Sequence, residues 1–543
     1  MQSSTAGMTL EEQIGQVLTI GFFQPMPAQE TIDLIQKYHV GNVILFKRNI
    51  QNAQQVYELT HYLQGLAREA GHCQPLLIMI DQENGMVRRF GQNSTIFPGN
   101  MALGAIGSER IAYEVALATG RELKALGINM NLAPDVDVNN NPANPVIGVR
   151  SFGEDPQLVA RLGSAMVRGY SDAGIITTLK HFPGHGDTAV DSHHALPTIP
   201  YTLDRLDMLE LIPFKQAIMA GADAVMTAHM YLPFLMQGEM LPATISYAIV
   251  TQLLRERLGF TGVIVSDCME MRAVSDIVGT EQGTIKALQA GVDLVLISHH
   301  HAQQQGSIDA IHAALHNGTL SVERIRNAAE RVMQLKARTL TWDTPSSSLA
   351  IIGSETHQQL RDDAYARSTT LVRDTNELLP LRLQPEQRLL LLLLQPAIFS
   401  GAVDTEFPCD ALTEHIQQRH QYVETLMLTA QTMQTDVAKL LSAVNGADLV
   451  IVVTANANQD QYQGRIVQGL LDTGKPVIGI AAYNPYDLLA FPTLGTYLVT
   501  YEYTPPAFAA VARVLFGEVQ AQGRLPVSIP GLYAVGSSMK IGG

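Results

Sequence analysis

Eight short apolar runs, each followed by a longer stretch of helical spacing, recur through the first 300 or so residues and limit the folds open to this chain. They are QVLTIGF (16–22), NVILF (42–46), LLIMID (76–81), INMNLAPDVDV (128–138), IITTLKHF (175–182), DAVMTAH (223–229), GVIVSD (262–267) and VDLVLIS (292–298). Near-continuous apolar strands of this kind are buried on both faces, as parallel strands covered by helices are. Intervening segments such as SERIAYEVALATGRELKAL carry apolar residues three and four apart. Thr9 with Glu12 forms a capping-box signature, which predicts a helix running into Val17. The expected fold class is therefore α/β: a (β/α)8 TIM-type barrel. An open doubly wound sheet would more often show fewer strands in this length.

A chain of 543 residues exceeds what one core organises. The barrel rhythm is assigned to residues 1–338, TLTWDTPSSSLA (339–350) reads as a linker, and 351–543 as a second, smaller domain. There RLLLLLLQ (388–395), YVETLMLTA (422–430), ADLVIVVTANA (447–457), KPVIGIAAY (475–483) and TYLVTYEY (496–503) are strand candidates. Helix-like stretches such as MQTDVAKLLSAV and YQGRIVQGLLDTG lie between several of them, which predicts an α/β sandwich with a mainly parallel sheet. Neither GxGxxG nor GxxxxGK[ST] occurs, so no nucleotide cofactor is expected.

The formal net charge of −15 leaves no excess of cations to neutralise phosphates, which argues against nucleic acid or an anionic membrane as partner. Small molecules are the expected partners. Cys73, Cys268 and Cys409 are widely separated, so neither a disulfide framework nor a thiolate metal site is indicated. The N-terminal MQSSTAGMTLEEQIGQVLTIGF lacks a basic segment followed by an apolar one. A cytoplasmic address is expected on that reading, with secretion if a leader has been removed.

Residues 180–197, KHFPGHGDTAVDSHHALP, gather His181, His185, His193, His194, Asp187 and Asp191 in a run that Pro183, Gly184 and Gly186 keep from being a helix. A metal site is one reading, because barrel hydrolases do collect His and Asp at this rim. Against it, the helical spacing of His181 and His185 is void without a helix, and adjacent His193 and His194 diverge. An acid/base site is the better fit. Asp191, two residues from His193, can accept a hydrogen bond from one ring nitrogen, fix the tautomer and stabilise the protonated ring.

A barrel places reactive side chains at the C-terminal ends of its strands. The runs here end in Asp81, in Asp135 and Asp137, in Lys180 and His181, in His229, in Asp267 and in Ser298. Any single one reads as a helix cap; so many on one rim point to a site. Asp267, after the seventh run, supplies the carboxylate nucleophile that the Asp191–His193 pair lacks.

These residues resemble glycoside hydrolase family 3, in its β-N-acetylglucosaminidase branch. The 180–197 run is similar to that branch's KH[FY]PGHGDT, DSH and LP pattern. DQENGMVRRF at 81, NLAPDVDV at 131, GVRSFGEDP at 148, ELIPFKQAI at 210, VMTAHMYLP at 225, PATIS at 242 and SDCMEM at 266 agree in order. The resemblance spans roughly residues 8–335, and AYNPYDLLAF with GRLPVSIPG extends it to the two-domain members. It implies Asp267 as nucleophile, Asp191 and His193 as acid/base dyad, and Asp81, Arg150, Lys180, His181 and His229 as sugar-binding residues, with no metal and no cofactor. The implied reaction is removal of terminal β-linked N-acetylglucosamine with retention, on peptidoglycan fragments. Two departures stand out. Glu83-Asn84-Gly85 replaces the usual EGG, and Tyr483-Asn484 replaces an Arg-Ser pair before PYD, which bears on any contact from the second domain.

Four other readings follow from the same residues. They are an N-acetylglucosaminide phosphorylase, a β-glucosidase whose acid comes from the second domain, a metal hydrolase, and a non-catalytic sugar-binding protein. Presence of Asp267 and His193 weighs against the last.

Overall fold

The computed structural model describes residues 5–541 apart from 237, 239, 344–347, 396–399, 404–408, 430 and 433–436. Parts of the linker, of MQTDVAKLLSAV and of YVETLMLTA thus lie outside the described residues. Eight parallel strands close into a barrel: β1 (Leu18–Ile20), β2 (Asn42–Leu45), β3 (Leu77–Ile80), β4 (Met130–Asn131), β5 (Ile176–Phe182), β6 (Ala224–Thr227), β7 (Val263–Cys268) and β8 (Leu294–Ile297). Alternation along each strand divides the apolar residues between two cores. Leu77 and Met79 of β3 fill the barrel interior with Ile44, Met130, Met226, Val265 and Leu296, whereas Ile78 and Ile80 pack outward against the helices.

Two runs are shorter as strands than their apolar content suggests. Residues Leu10–Gln16 form the helix capped by Thr9 and Glu12, so the first strand starts only at Leu18. In the fourth run only Met130 and Asn131 pair as strand. Pro134 has no N–H to give a ladder, and beyond it the chain turns over the barrel mouth, touching β5 through an Asp135–Lys180 bridge. That departure carries Asp135 and Asp137 into the site.

The helix Val322–Thr339 ends the barrel half. The second half holds a six-stranded sheet: β9 (Thr370–Asp374), β10 (Leu389–Leu394), β11 (Val423–Leu428), β12 (Leu449–Thr454), β13 (Val477–Ala481) and β14 (Thr496–Val499), in the order β9-β14-β13-β12-β10-β11. All neighbours are parallel except β9, which runs antiparallel to β14 at one edge. All six leucines of β10 are buried, as befits a strand between β12 and β11.

The halves share buried surface. Met86, Val87, Met101, Ala102 and Val149 of the barrel half belong to the apolar core of the second. Polar bonds cross the same boundary: Gly99 N–H donates to Glu502 at 3.0 Å, Asn139 Nδ2 to the Tyr486 hydroxyl at 3.0 Å, and Ser528 Oγ–H to Glu154 at 2.5 Å. Among the described residues no helix is long and apolar enough to cross a membrane.

Candidate active site

A cavity of about 360 Å³ opens at the C-terminal ends of the strands. Its floor is an ion-pair network built from the segment after β3, the loop after β4 and β5 itself. Arg150 donates Nε and Nη2 to the two oxygens of Glu83 at 2.9 and 2.8 Å, a forked pairing. Lys180, in β5, reaches Asp81 Oδ1 at 2.7 Å and Glu83 Oε1 at 2.6 Å. Burial opposes the charge on Lys180, yet Asp81 and Glu83 outweigh it and the pKa rises. Glu83 likewise resists burial: Arg150 and Lys180 hold its carboxyl well below the ordinary range. Glu83→Gln leaves two buried cations short of an anion, so unfolding free energy falls by about 3 kcal/mol in a denaturant titration.

His181 stands over this floor. Its Nδ1 meets Asp137 Oδ2 at 2.8 Å, while Nε2 faces an Arg150 N–H at 3.2 Å and must accept from it. That sets the tautomer with the proton on Nδ1. Asp137 also accepts the backbone N–H of His181 at 3.2 Å and of His185 at 2.6 Å. Its neighbour Asp135 is pushed well above the carboxylate range, by burial first and then by the Asp137 charge.

After β5 the glycine-punctuated loop folds down onto the mouth. A side chain at Gly186 would place Cβ 1.8 Å from the Val138 carbonyl oxygen, and Gly184 takes φ +130°, so both positions require glycine. His185 is buried between the hydroxyls of Thr188 at 2.7 Å and Ser192 at 3.1 Å. Burial lowers its pKa to about 4. The unfolded chain therefore takes up this proton near 6.5 while the folded one does not, and stability declines as pH falls from about 6.5 to about 4. In His185→Asn this decline is shallower; urea midpoints at pH 7 and pH 4.5 measure it. Part remains, because burial also holds His72 at about 4.

Further along, His193 Nδ1 lies 2.6 Å from Asp191 Oδ1, which also takes the His193 backbone N–H at 2.9 Å. The ring lines the cavity with one third of its side chain exposed. His194 is exposed and lines nothing there. Asp187 is held outside the cavity by the Tyr201 hydroxyl at 2.6 Å.

Asp267, next to last in β7, faces the same cavity, its Oδ1 accepting the Cys268 N–H at 2.7 Å. Burial would raise its pKa, but His229, His181, His193 and the Cys268 amide together keep it below the ordinary value. A carboxylate so placed is ionised and unprotonated at neutral pH, as a nucleophile must be. His229 sits behind the wall instead. Its ring nitrogens are taken by Thr244 Oγ1 at 2.8 Å and the Cys268 carbonyl at 2.9 Å, so it supports the end of β7 and does not line the cavity.

The fold thus brings Asp81, Arg150, Lys180, His181, His193 and Asp267 to one cavity, with Asp191 directly behind His193. Glu83 and Arg89 join them without having been singled out from sequence. Glu83 lies two residues beyond Asp81, in the Glu83-Asn84-Gly85 triplet, where Asn84 takes φ +73°, a conformation in which glycine is usual. Phe46, Arg48 and His299 form the outer wall, and Gly401 with Ala402 come from the second domain. Tyr483 and Asn484 do not line the cavity; Asn484 packs against Gly148, two residues before Arg150.

Among the described residues, two groups of side chains bring metal-type donors within 4.8 Å of one another: Asp135, Asp137 and His181, and Cys268, Glu270 and His299. In each group some of the donors already have partners. Both Asp137 oxygens accept N–H groups, the Arg150 guanidinium lies 3.7 Å from Asp135, and Glu270 accepts the His299 and His300 amides at 2.6 and 2.9 Å.

The model of the glycosyl hydrolase family 3 N-terminal domain matches residues 9–335, and that of the family's C-terminal domain matches residues 345–535. The chain belongs to glycoside hydrolase family 3. This family 3 glycoside hydrolase is 35% identical to β-hexosaminidase A of Pseudoalteromonas piscicida over 92% of its own length and 91% of the relative's. The solved family 3 β-N-acetylglucosaminidase of Paenibacillus sp. str. FPU-7 superposes with a TM-score of 0.90 at 40% identity, over 96% and 99% of the two chains. A fungal multi-domain family 3 β-N-acetylglucosaminidase gives a TM-score of 0.91 at 44% identity over 98% of this hydrolase, which spans 62% of the fungal chain.

Proposed function

We propose that this family 3 hydrolase is a retaining exo-β-N-acetylglucosaminidase, with Asp267 as nucleophile and His193, oriented by Asp191, as acid/base. The observation that carries the reading is the 2.6 Å Asp191–His193 bond on a ring that shares one cavity with the Asp267 carboxylate. Names of the similar proteins supply the substrate class. The cavity is small for a ligand site, suited to one terminal sugar more than to a chain crossing it.

In the first step Asp267 attacks the anomeric carbon and forms a glycosyl ester. Protonated His193 gives its proton to the departing oxygen, and Asp191 stabilises the charged ring before transfer. Neutral His193 then takes a proton from water, which cleaves the ester from the same face the aglycone left. Asp81, Lys180, Arg150 and His181 offer polar atoms along the floor to a hydroxyl-rich ring. Peptidoglycan fragments are the proposed natural source of terminal N-acetylglucosamine.

Paired assays test the substrate: turnover of an aryl N-acetyl-β-glucosaminide exceeds that of the matching β-glucoside, and proton NMR of the first product shows the β anomer. Preference for the glucoside refutes the reading. Adding phosphate yields no sugar 1-phosphate; its appearance favours the phosphorylase. EDTA leaves kcat/KM unchanged, because the chemistry needs only carboxylates and an imidazole.

A further inference from the structure

The acid/base pair is braced from the other domain. Asp191 Oδ1 is spent on His193, through both Nδ1 and the backbone N–H. Its second oxygen, Oδ2, has one protein partner among the described residues: the hydroxyl of Ser400, 3.2 Å away and 209 positions further along the chain. The direction of that bond is set locally. Ser400 Oγ accepts the Ala402 backbone N–H at 3.3 Å, so its own hydrogen is free to go to the carboxylate.

The residues after Ser400 continue the contact. Gly401 and Ala402 line the cavity. A Cβ at Gly401 would lie 3.3 Å from His193 Cγ and 3.4 Å from Cδ2, so the backbone of the second domain lies against the imidazole with no room to spare. Gly401 is not among the positive-φ glycines, so space and not backbone conformation is what restricts the position. The Ala402 carbonyl accepts Arg89 Nη1 at 3.1 Å, and Arg89 stands 4.0 Å from Asp81. The turn is thereby held at both ends of the site.

We propose that Ser400 is a positioning residue: from the second domain it fixes the rotation of the Asp191 carboxylate and so the aim of His193 at the leaving oxygen. This rests on the reading of His193 as acid/base. A carboxylate bonded on one side only can turn about its Cβ–Cγ bond, and a proton donor misdirected by a fraction of an ångström loses rate even though it stays in place. Ser400 touches no reacting atom. Its effect passes entirely through Asp191.

A merely structural serine and a positioning serine differ in leaving-group dependence. Full-length Ser400→Ala is assayed on phenyl and 2,4-dinitrophenyl N-acetyl-β-glucosaminides, the first needing a proton at departure and the second hardly needing one. The expected result is a fall of about tenfold in kcat/KM on the phenyl substrate and under twofold on the dinitrophenyl one, with Ser400→Thr restoring most of the loss. In an Asp191→Ala background the serine substitution costs nothing further, because the path through the carboxylate is already gone. Gly401→Ala, which pushes the ring by a few tenths of an ångström, reproduces the leaving-group pattern and serves if Ser400→Ala does not fold. Equal losses on both substrates, wild-type rates on both, or a loss that persists without Asp191 overturns the proposal. His193→Ala is run alongside. If it alone is impaired on the phenyl substrate, the dyad stands and only the role of Ser400 falls; if it too is unimpaired, the dyad reading falls with it.

Discussion

Asp267→Asn lowers kcat/KM for an aryl N-acetyl-β-glucosaminide by about 10⁴-fold while leaving the fold intact. The proposed double displacement has no substitute for a missing carboxylate at the anomeric carbon, and an amide is a poor nucleophile. Such a loss corresponds to about 5.5 kcal/mol of transition-state stabilisation. Stability moves little at neutral pH, since Asn keeps the shape and the Cys268 N–H finds an acceptor still. At acid pH the two proteins converge further. The Asp267 carboxyl is held below its ordinary pKa by three imidazoles and an amide, so it contributes stability above the unfolded value and loses it as pH falls through the folded one. Steady-state kinetics and thermal unfolding of the one variant measure both halves. Retained activity removes Asp267 from the mechanism.

His193→Ala has the second largest effect, and its size depends on the substrate. With a phenyl aglycone the departing oxygen needs a proton, and kcat/KM falls by about 10³-fold. With a 2,4-dinitrophenyl aglycone the first step survives, so kcat/KM stays within a few-fold of the wild type. Hydrolysis of the ester is then slow for want of a base, kcat drops, KM drops with it, and a burst of phenolate precedes the steady state. Azide, which needs no deprotonation, restores kcat and diverts product to the glycosyl azide. Asp191→Asn follows the same pattern at about 10²-fold, because it removes the charge that stabilises protonated His193 across the 2.6 Å bond. A loss of equal size on both substrates contradicts the acid/base role.

Much of the barrel was legible because strands buried on both faces must be apolar throughout, and such runs stand out between amphipathic helices. β10, six consecutive leucines, was readable on the same ground. Where polar residues or proline enter a run, apolar content overstates the strand: LAPDVDV left the barrel after Asn131, and Gln16 belongs to the preceding helix. The reverse failure is β9. TLVRD is short, mixed in polarity and at an antiparallel edge, and nothing in its spacing separates it from the preceding helix.

The site divides in the same way. Asp81, Lys180, His181 and Asp267 could be found because each closes an apolar run, which in a barrel fixes the end of the molecule it faces. His229 follows that rule too, yet its ring turns to Thr244 and the Cys268 carbonyl; strand position gives the rim and not the rotamer. Glu83 has a burial that only Arg150 and Lys180 make tolerable, and those partners lie 67 and 97 positions away in sequence. Ser400 and Gly401 meet the dyad across a domain boundary, a relation with no periodicity to betray it.

The most direct trial is capture of the glycosyl ester. A 5-fluoro N-acetylglucosaminyl fluoride slows both steps and lets the intermediate accumulate; peptide mass spectrometry after digestion then locates the sugar. Label on the peptide bearing VIVSDCMEM, at the aspartate of its SDC triplet, is the predicted result. Label on a different side chain, or turnover of the reagent with no adduct and with inversion at the anomeric carbon, contradicts it.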